Sequence, residues 1–172
     1  MKILHQISSA ALLLLPAEAG HGIALRALAT RLGPHQRADD FPVLAQDICG
    51  LHFANPVAVS AGFDKNAAAI AGTRRLGSGF VEIGGVTPRA QIGNPKPRLF
   101  RLTPDRAAIN RMGFNNHGSD AVLARIKAER LGSTPLGVNL AANSDSTDPA
   151  QDFVALVEKF APVADFLTID VS

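Results

Sequence analysis

The spacing of hydrophobic positions changes character along the chain. His21, Leu25, Leu28 and Leu32 fall at i, i+4, i+7 and i+11, one face of a helix, while Arg26, Thr30 and Arg31 lie off that stripe. Gly33-Pro34 follows in the order that stops helices, so residues 1–40 read as a helical segment closed by a polar, turn-rich stretch from Gly33 to Asp40. Two short runs between Val43 and Phe53 flank Gly50 and predict a small hairpin. Beyond it, strand-like and helix-like runs alternate. Val57–Val59, Phe80–Ile83, Leu136–Leu140 and Phe166–Val171 read as strands. Asn66–Leu76 reads as a helix ending at Gly77, and Ser119–Leu131 as a helix with Val122, Leu123 and Ile126 inward. A further helix opens at Asp148-Pro149-Ala150-Gln151, with Asp as N-cap, Pro at the first position and Gln at the third. Gly84 to Arg98, rich in Pro and Gly, reads as a long loop.

Such alternation predicts an α/β fold with parallel strands and right-handed crossovers. A doubly wound sheet and a (β/α)8 barrel both fit. A barrel needs eight strands and about 250 residues, and the pattern here supplies roughly the first four β/α units. The organisation read from the chain is therefore a helical segment over 1–40 followed by the β/α region 41–172. The helical segment is either a cap on the core or an apolar surface that meets a membrane.

Composition narrows the function classes. Of 172 residues, 47% are hydrophobic and 19% charged, the balance of an ordinary globular domain. A formal net charge of +2, with no Trp and no Tyr, argues against a nucleic-acid partner. The longest apolar run, Ala10 to Leu15, falls short of the roughly 20 residues a spanning helix needs. Lys2 before that run and Ala17-Glu18-Ala19 after it outline a signal peptide, but the run is short and the following residues continue a helical pattern. The lone Cys49 cannot form an internal disulfide and reads as a buried small hydrophobe. The five histidines lack metal-ligand spacing, so no metal site is expected.

Polar candidates gather at the C-terminal ends of the strands, the face where parallel α/β folds bind ligands. Ser60-Ala61-Gly62-Phe63-Asp64-Lys65 follows the first strand and Gly84-Gly85-Val86-Thr87-Pro88 the second, Asn139 lies in the third, and Asp170 closes the fourth. Ala61-Gly62 lets backbone approach a flat ring, and Lys65 offers a cation to an anion. Each alone is equally well a packing or solvated residue; the shared face is what groups them. Asn110-Arg111-Met112-Gly113-Phe114-Asn115-Asn116 combines amides and a guanidinium around one glycine. That set suits a ring bearing carbonyl and N–H groups, or else a loop whose Asn side chains bond their own backbone.

These segments, with Glu82 to Arg89, Gly93-Asn94-Pro95-Lys96-Pro97-Arg98-Leu99-Phe100-Arg101-Leu102 and Asn110 to Gly118, resemble the class 2, quinone-dependent dihydroorotate dehydrogenases. The resemblance runs in order and spacing from Leu51 to Ser172. It implies an FMN-containing TIM barrel that oxidises (S)-dihydroorotate to orotate in pyrimidine biosynthesis and passes the electrons to a membrane quinone. By resemblance, Ala61, Gly62, Phe63, Asp64, Lys65, Gly85, Asn139 and Asp170 contact FMN. Lys65, Asn110, Arg111, Met112, Gly113, Phe114 and Asp170 hold the substrate. The N-terminal helices resemble the family's quinone tunnel, which implies peripheral attachment to the cytoplasmic side of the cell membrane and favours the membrane reading of residues 1–40.

The chain departs from the family pattern at several places. Gly85 stands where the family usually has Thr or Ser, Ala141-Ala142-Asn143 where it has Gly-Lys-Asn, and Asp170 where it has Asn. An ionised Asp accepts hydrogen bonds only and repels an anionic substrate. In the family a Ser-Pro-Asn follows the fourth strand and its Ser is the catalytic base; Ser172 matches the residue just before that base. The expectation is thus a fragment: the N-terminal half of the barrel, without its base, insoluble or flavin-free when isolated. The alternatives are another FMN-barrel oxidoreductase such as a dihydrouridine synthase, a non-catalytic shortened paralogue, or half of a split barrel.

Overall fold

Asp148 shows how directly local chemistry sets this fold. Its Oδ1 accepts the Gln151 N–H at 3.1 Å, with Pro149 at the first helical position, so the helix Pro149–Phe160 starts where the sequence places it. Replacing Asp148 with Ala should cost about 1 kcal/mol, the usual worth of such a cap, read as a lowered midpoint in urea denaturation. The computed structural model describes residues 11–129 and 132–171. The expectations resting on residues 1–10, on Arg130 and Leu131, and on Ser172 lie outside them.

In chain order the elements are α1 (Ala17–Ala29), β1 (Gln46–Ile48), β2 (Leu51–Phe53), β3 (Ala58–Val59), α2 (Ile70–Arg74), β4 (Phe80–Val86), β5 (Leu99–Leu102), β6 (Ala107–Asn110), α3 (Ser119–Ala128), β7 (Leu136–Ala141), α4 (Pro149–Phe160) and β8 (Phe166–Asp170). Strands β3, β4, β7 and β8 form one parallel sheet in that order. A doubly wound sheet reverses its order at a switch point and carries helices on both faces. Here the order never reverses. Val81, Ile83, Leu136, Val138 and Leu140 alternate to one face and pack with Ile70, Val122, Ile126, Leu156 and Phe160 from α2, α3 and α4. The opposite face carries Phe80, edge-on to Phe53 of β2 at 5.4 Å and to Phe166 at 5.8 Å. The β1–β2 hairpin thus closes the N-terminal end of the inner face, and the sheet is an arc of a β/α barrel.

Several expectations need correction. Cys49 is exposed, not buried. It sits at the tip of the antiparallel β1–β2 hairpin, whose two-residue loop has positive φ at both positions, 51° at Cys49 and 80° at Gly50, as a type I′ turn does. Helix α1 ends at Ala29, before Gly33-Pro34. Arg31 takes a left-handed φ of 59°, and the N–H groups of Arg31 and Leu32 turn back to the carbonyls of Leu28 and Ala27, a Schellman closure. Leu32 therefore falls past the helix and is 68% exposed, while Leu28 is buried. The predicted helix over 66–76 is only Ile70–Arg74, because the Asp64 carboxylate binds the N–H groups of Asn66, Ala68 and Ala69 and holds them in turns. The predicted loop begins late: β4 continues through a bulge at Gly84/Val86. Beyond that loop, β5 and β6 pair as an antiparallel hairpin that the apolar pattern does not announce.

Candidate active-site cleft

The C-terminal ends of the four parallel strands open into a cleft of about 770 Å³. The loop after β3 forms one wall. There Gly62 donates its N–H to the Gly84 carbonyl at 2.6 Å, and Gly84 donates back to the Asp64 carbonyl at 3.1 Å, so backbone bonds stitch this loop to β4. Gly62 has φ of 93°, and a Cβ built there would meet nothing within 4 Å, so bare backbone faces open space. Lys65 is half-buried beside it and donates from Nζ to the Gly62 carbonyl. Desolvation first, and then the Arg98 charge, hold its ammonium below the usual lysine range, while Glu18 and Asp64 pull the other way.

The floor comes from β4 and β7. Glu82 reaches the Ala61 N–H with Oε2 at 3.4 Å, and its Oε1 is buried with no hydrogen-bond partner among the described residues. Asn139, on β7 beside Gly84, is 8% exposed. A Cβ on Gly85 would lie 2.8 Å from the Phe114 ring and 3.0 Å from Asn139 Oδ1. Glycine is therefore matched to its surroundings here: Phe114 and Asn139 close over the space a larger side chain would need. The far wall is the segment after β6. Asn110 Oδ1 accepts the Met112 N–H at 3.4 Å, and Arg111 reaches the Pro97 carbonyl at 3.1 Å from the rim.

Of the residues singled out from sequence, Ala61, Gly62, Phe63, Lys65, Gly85, Asn139 and Asp170 line this cleft, together with Asn110, Arg111, Met112, Gly113 and Phe114. Asp64 does not. It is 1% exposed and its carboxylate is consumed by the three backbone N–H groups below Lys65, so it shapes the loop from behind. Asn116 is likewise structural: its side chain serves Thr87, Phe114 and Gly118. An adjoining cleft of about 910 Å³ shares Asn94, Gly113, Phe114 and Asp170 and holds Ala141, Ala142 and Asn143. Asn143 is buried there on the backbone of Arg89 and on Gln91.

Two residues of α1 that the sequence did not mark as site residues, His21 and Glu18, contribute to the cleft and its walls. His21 lines the cleft, its Nε2 lying 2.7 Å from the Phe63 carbonyl. One turn earlier, Glu18 grips Arg98 with contacts of 2.6 and 3.3 Å. The i, i+3 spacing of Glu18 and His21 was the available signal. The Arg98 guanidinium, then burial working against it, then Lys96 act on the Glu18 carboxyl, and the net effect holds it below the usual carboxylate range. Because the folded value is depressed, this pair contributes stability above the unfolded pKa and loses it as pH falls through the lowered one.

The arrangement presents backbone and small side chains on one side, amides and a cation on the other, with an apolar ring between. It can hold a planar ring system beside a small anionic heterocycle. The family model for dihydroorotate dehydrogenase matches residues 43–172. The chain is 55% identical over 159 residues to the dihydroorotate dehydrogenase (quinone) of Rhodopseudomonas palustris strain BisB5, covering 92% of this chain and 43% of that protein. It is 48% identical over 172 residues to the protein of the same description from Cereibacter sphaeroides strain KD131, covering 100% of this chain and 49% of that one. Among solved structures, Eimeria tenella DHODH in complex with ferulenol superposes with a TM-score of 0.87 at 40% identity, covering 91% of this chain and 44% of that one. The chain thus spans less than half the length of these relatives.

Proposed function

This chain belongs to the dihydroorotate dehydrogenase family, and we propose that it supplies the N-terminal half of a quinone-linked member, which oxidises dihydroorotate to orotate with FMN in pyrimidine biosynthesis and passes the electrons to a membrane quinone. The observation that carries this reading is convergence. Motifs more than a hundred residues apart, from Ala61 to Asp170, meet in one cleft at the strand ends. Activity belongs to the whole protein, since this chain matches 43–49% of the curated relatives' length. The exposed apolar row Val154, Val157, Ile169 and Val171 at β8 and α4 offers packing surface for the rest of the barrel.

The cleft suits the ring end of a flavin. Backbone at Gly62 opens on free space, and the buried Glu82 Oε1, without a hydrogen-bond partner among the described residues, leaves an acceptor beside it. Ala61, Gly62, Phe63, Lys65, Gly85 and Asn139 would hold FMN, which supplies the hydride acceptor. Lys65 pairs with the substrate carboxylate. Asn110 and the backbone of Arg111 to Phe114 read the ring's carbonyl and N–H edges, and Phe114 excludes water from them. Asp170, half-buried and engaged with a neighbouring group, contributes an acceptor where the family has an amide. The proton beside the ring carbonyl goes to a base on the segment that follows β8.

The N-terminal segment exposes Leu13, Leu14 and Ile23, with exposures of 64, 88 and 46%. No helix among the described residues is long and apolar enough to cross a membrane. Peripheral attachment through this apolar surface, at the cytoplasmic face of the cell membrane, brings the quinone to the cleft. The complete polypeptide, purified in detergent, should carry one FMN per chain and reduce a short-chain quinone only when dihydroorotate is added. A folded, complete protein that binds neither flavin nor orotate would instead establish a non-catalytic paralogue.

A further inference from the structure

A single guanidinium joins the N-terminal helix to the ligand-facing wall. Arg98 has only 6% of its side chain exposed. On one side its Nη2 and Nε donate to the two carboxylate oxygens of Glu18, the fork geometry that makes Arg–carboxylate pairs strong. On the other, its Nη1 donates to the carbonyls of Ile92 at 2.7 Å and Asn94 at 3.1 Å. Its own carbonyl accepts the Arg111 N–H at 2.9 Å. Asn94 carries the link onward, its N–H to the Met112 carbonyl at 3.1 Å and its Nδ2 to the Arg111 carbonyl at 2.8 Å. A buried cation needs its counter-ion, and the only carboxylate that pairs with Arg98 among the described residues is on α1. Lys96 also approaches Glu18, at 3.4 Å.

We propose that Arg98 is a positioning residue for the cleft and that Glu18 sets it, so that seating α1 fixes the shape of segment 110–114. The arrangement does not depend on which ligand the cleft takes. It has a second, electrostatic arm. Arg98 opposes the charged form of Lys65 and Glu18 supports it, so the helix also supplies negative charge to the cleft's cation.

The test compares the complete protein with its Glu18→Gln and Arg98→Lys variants by amide hydrogen exchange, and follows the Lys65 side chain by NMR. Glu18→Gln should speed exchange at Asn94 and Arg111 by about tenfold or more while the β4–β7 ladder stays protected; Arg98→Lys, which keeps the charge but loses the fork, should do the same. Lys65 should titrate at lower pH in Glu18→Gln, a change that a mere helix staple would not produce. Faster exchange confined to α1, uniform acceleration that includes the β4–β7 ladder, or an unmoved Lys65 titration would each overturn the proposal.

Discussion

Replacing Lys65 with Met should weaken orotate binding to the complete protein by about a hundredfold. A hydrogen bond to a charged group contributes roughly 1.5–3 kcal/mol, and each 1.4 kcal/mol is about a factor of ten in affinity. Lys65 belongs at the upper end of that range because it is half-buried in the cleft wall, where water screens it poorly, and is held in place by the Gly62 carbonyl. Arg111, the other strong base on the lining, is exposed and occupied with the Pro97 carbonyl. The pH dependence gives a second check. Burial and Arg98 place the Lys65 pKa below that of a free lysine. As pH rises through that lowered value the ammonium loses its proton, so wild-type affinity should begin to fall at a lower pH than an ordinary lysine would impose. The Met variant should lack that step. Calorimetric titration across pH measures both, and binding within threefold of wild type would remove Lys65 from the site.

How much of this was legible in the sequence depended on what fixes each element. The strands of the parallel sheet were readable as short apolar runs between turn residues, β7 being buried along its whole length, and α3 and α4 because burial repeats with the helical period: Val122 and Ile126 sit on one helix face, and Asp148-Pro149 marks a start that needs no tertiary help. Elements set by side chain to backbone contacts were not. The shortened α2 follows from where the Asp64 carboxylate sends its hydrogen bonds, and the end of α1 follows from a left-handed arginine rather than from the glycine two residues on. The β5–β6 hairpin is exposed and short, so no face is buried deeply enough to imprint a pattern. For the cleft, the strand-end motifs named nearly every lining residue. The exceptions have a common cause. Asp64 lies in the right motif but points behind it, and His21, which lines the cleft, and Glu18, which holds Arg98, come from a segment that the motifs do not include.

That contribution from α1 rests on a close helix contact, which sets up the largest structural effect. Gly72 on α2 lies against α1 so tightly that a Cβ would stand 2.0 Å from the Leu28 carbonyl oxygen, 2.6 Å from its carbon and 2.9 Å from its Cα. All three are backbone atoms, so no side chain can swing aside, and Gly72→Ala must push the helix away. Overpacking of this kind costs about 1–3 kcal/mol and more when backbone must yield. Leu28 would lose its burial as well. Gly22→Ala is the matched comparison. It places the same methyl on α1 with nothing within 4 Å, and should stabilise by up to about 1 kcal/mol through helix propensity alone. Urea denaturation should therefore move in opposite directions for the two variants. If α1 lifts in Gly72→Ala, Glu18 leaves Arg98 with it, so Asn94 and Arg111 should exchange faster in that variant although neither touches Gly72. Unchanged protection of α1 at an unchanged denaturation midpoint would mean the helix does not rest on Gly72 in solution, and the route from helix to cleft would lose its anchor.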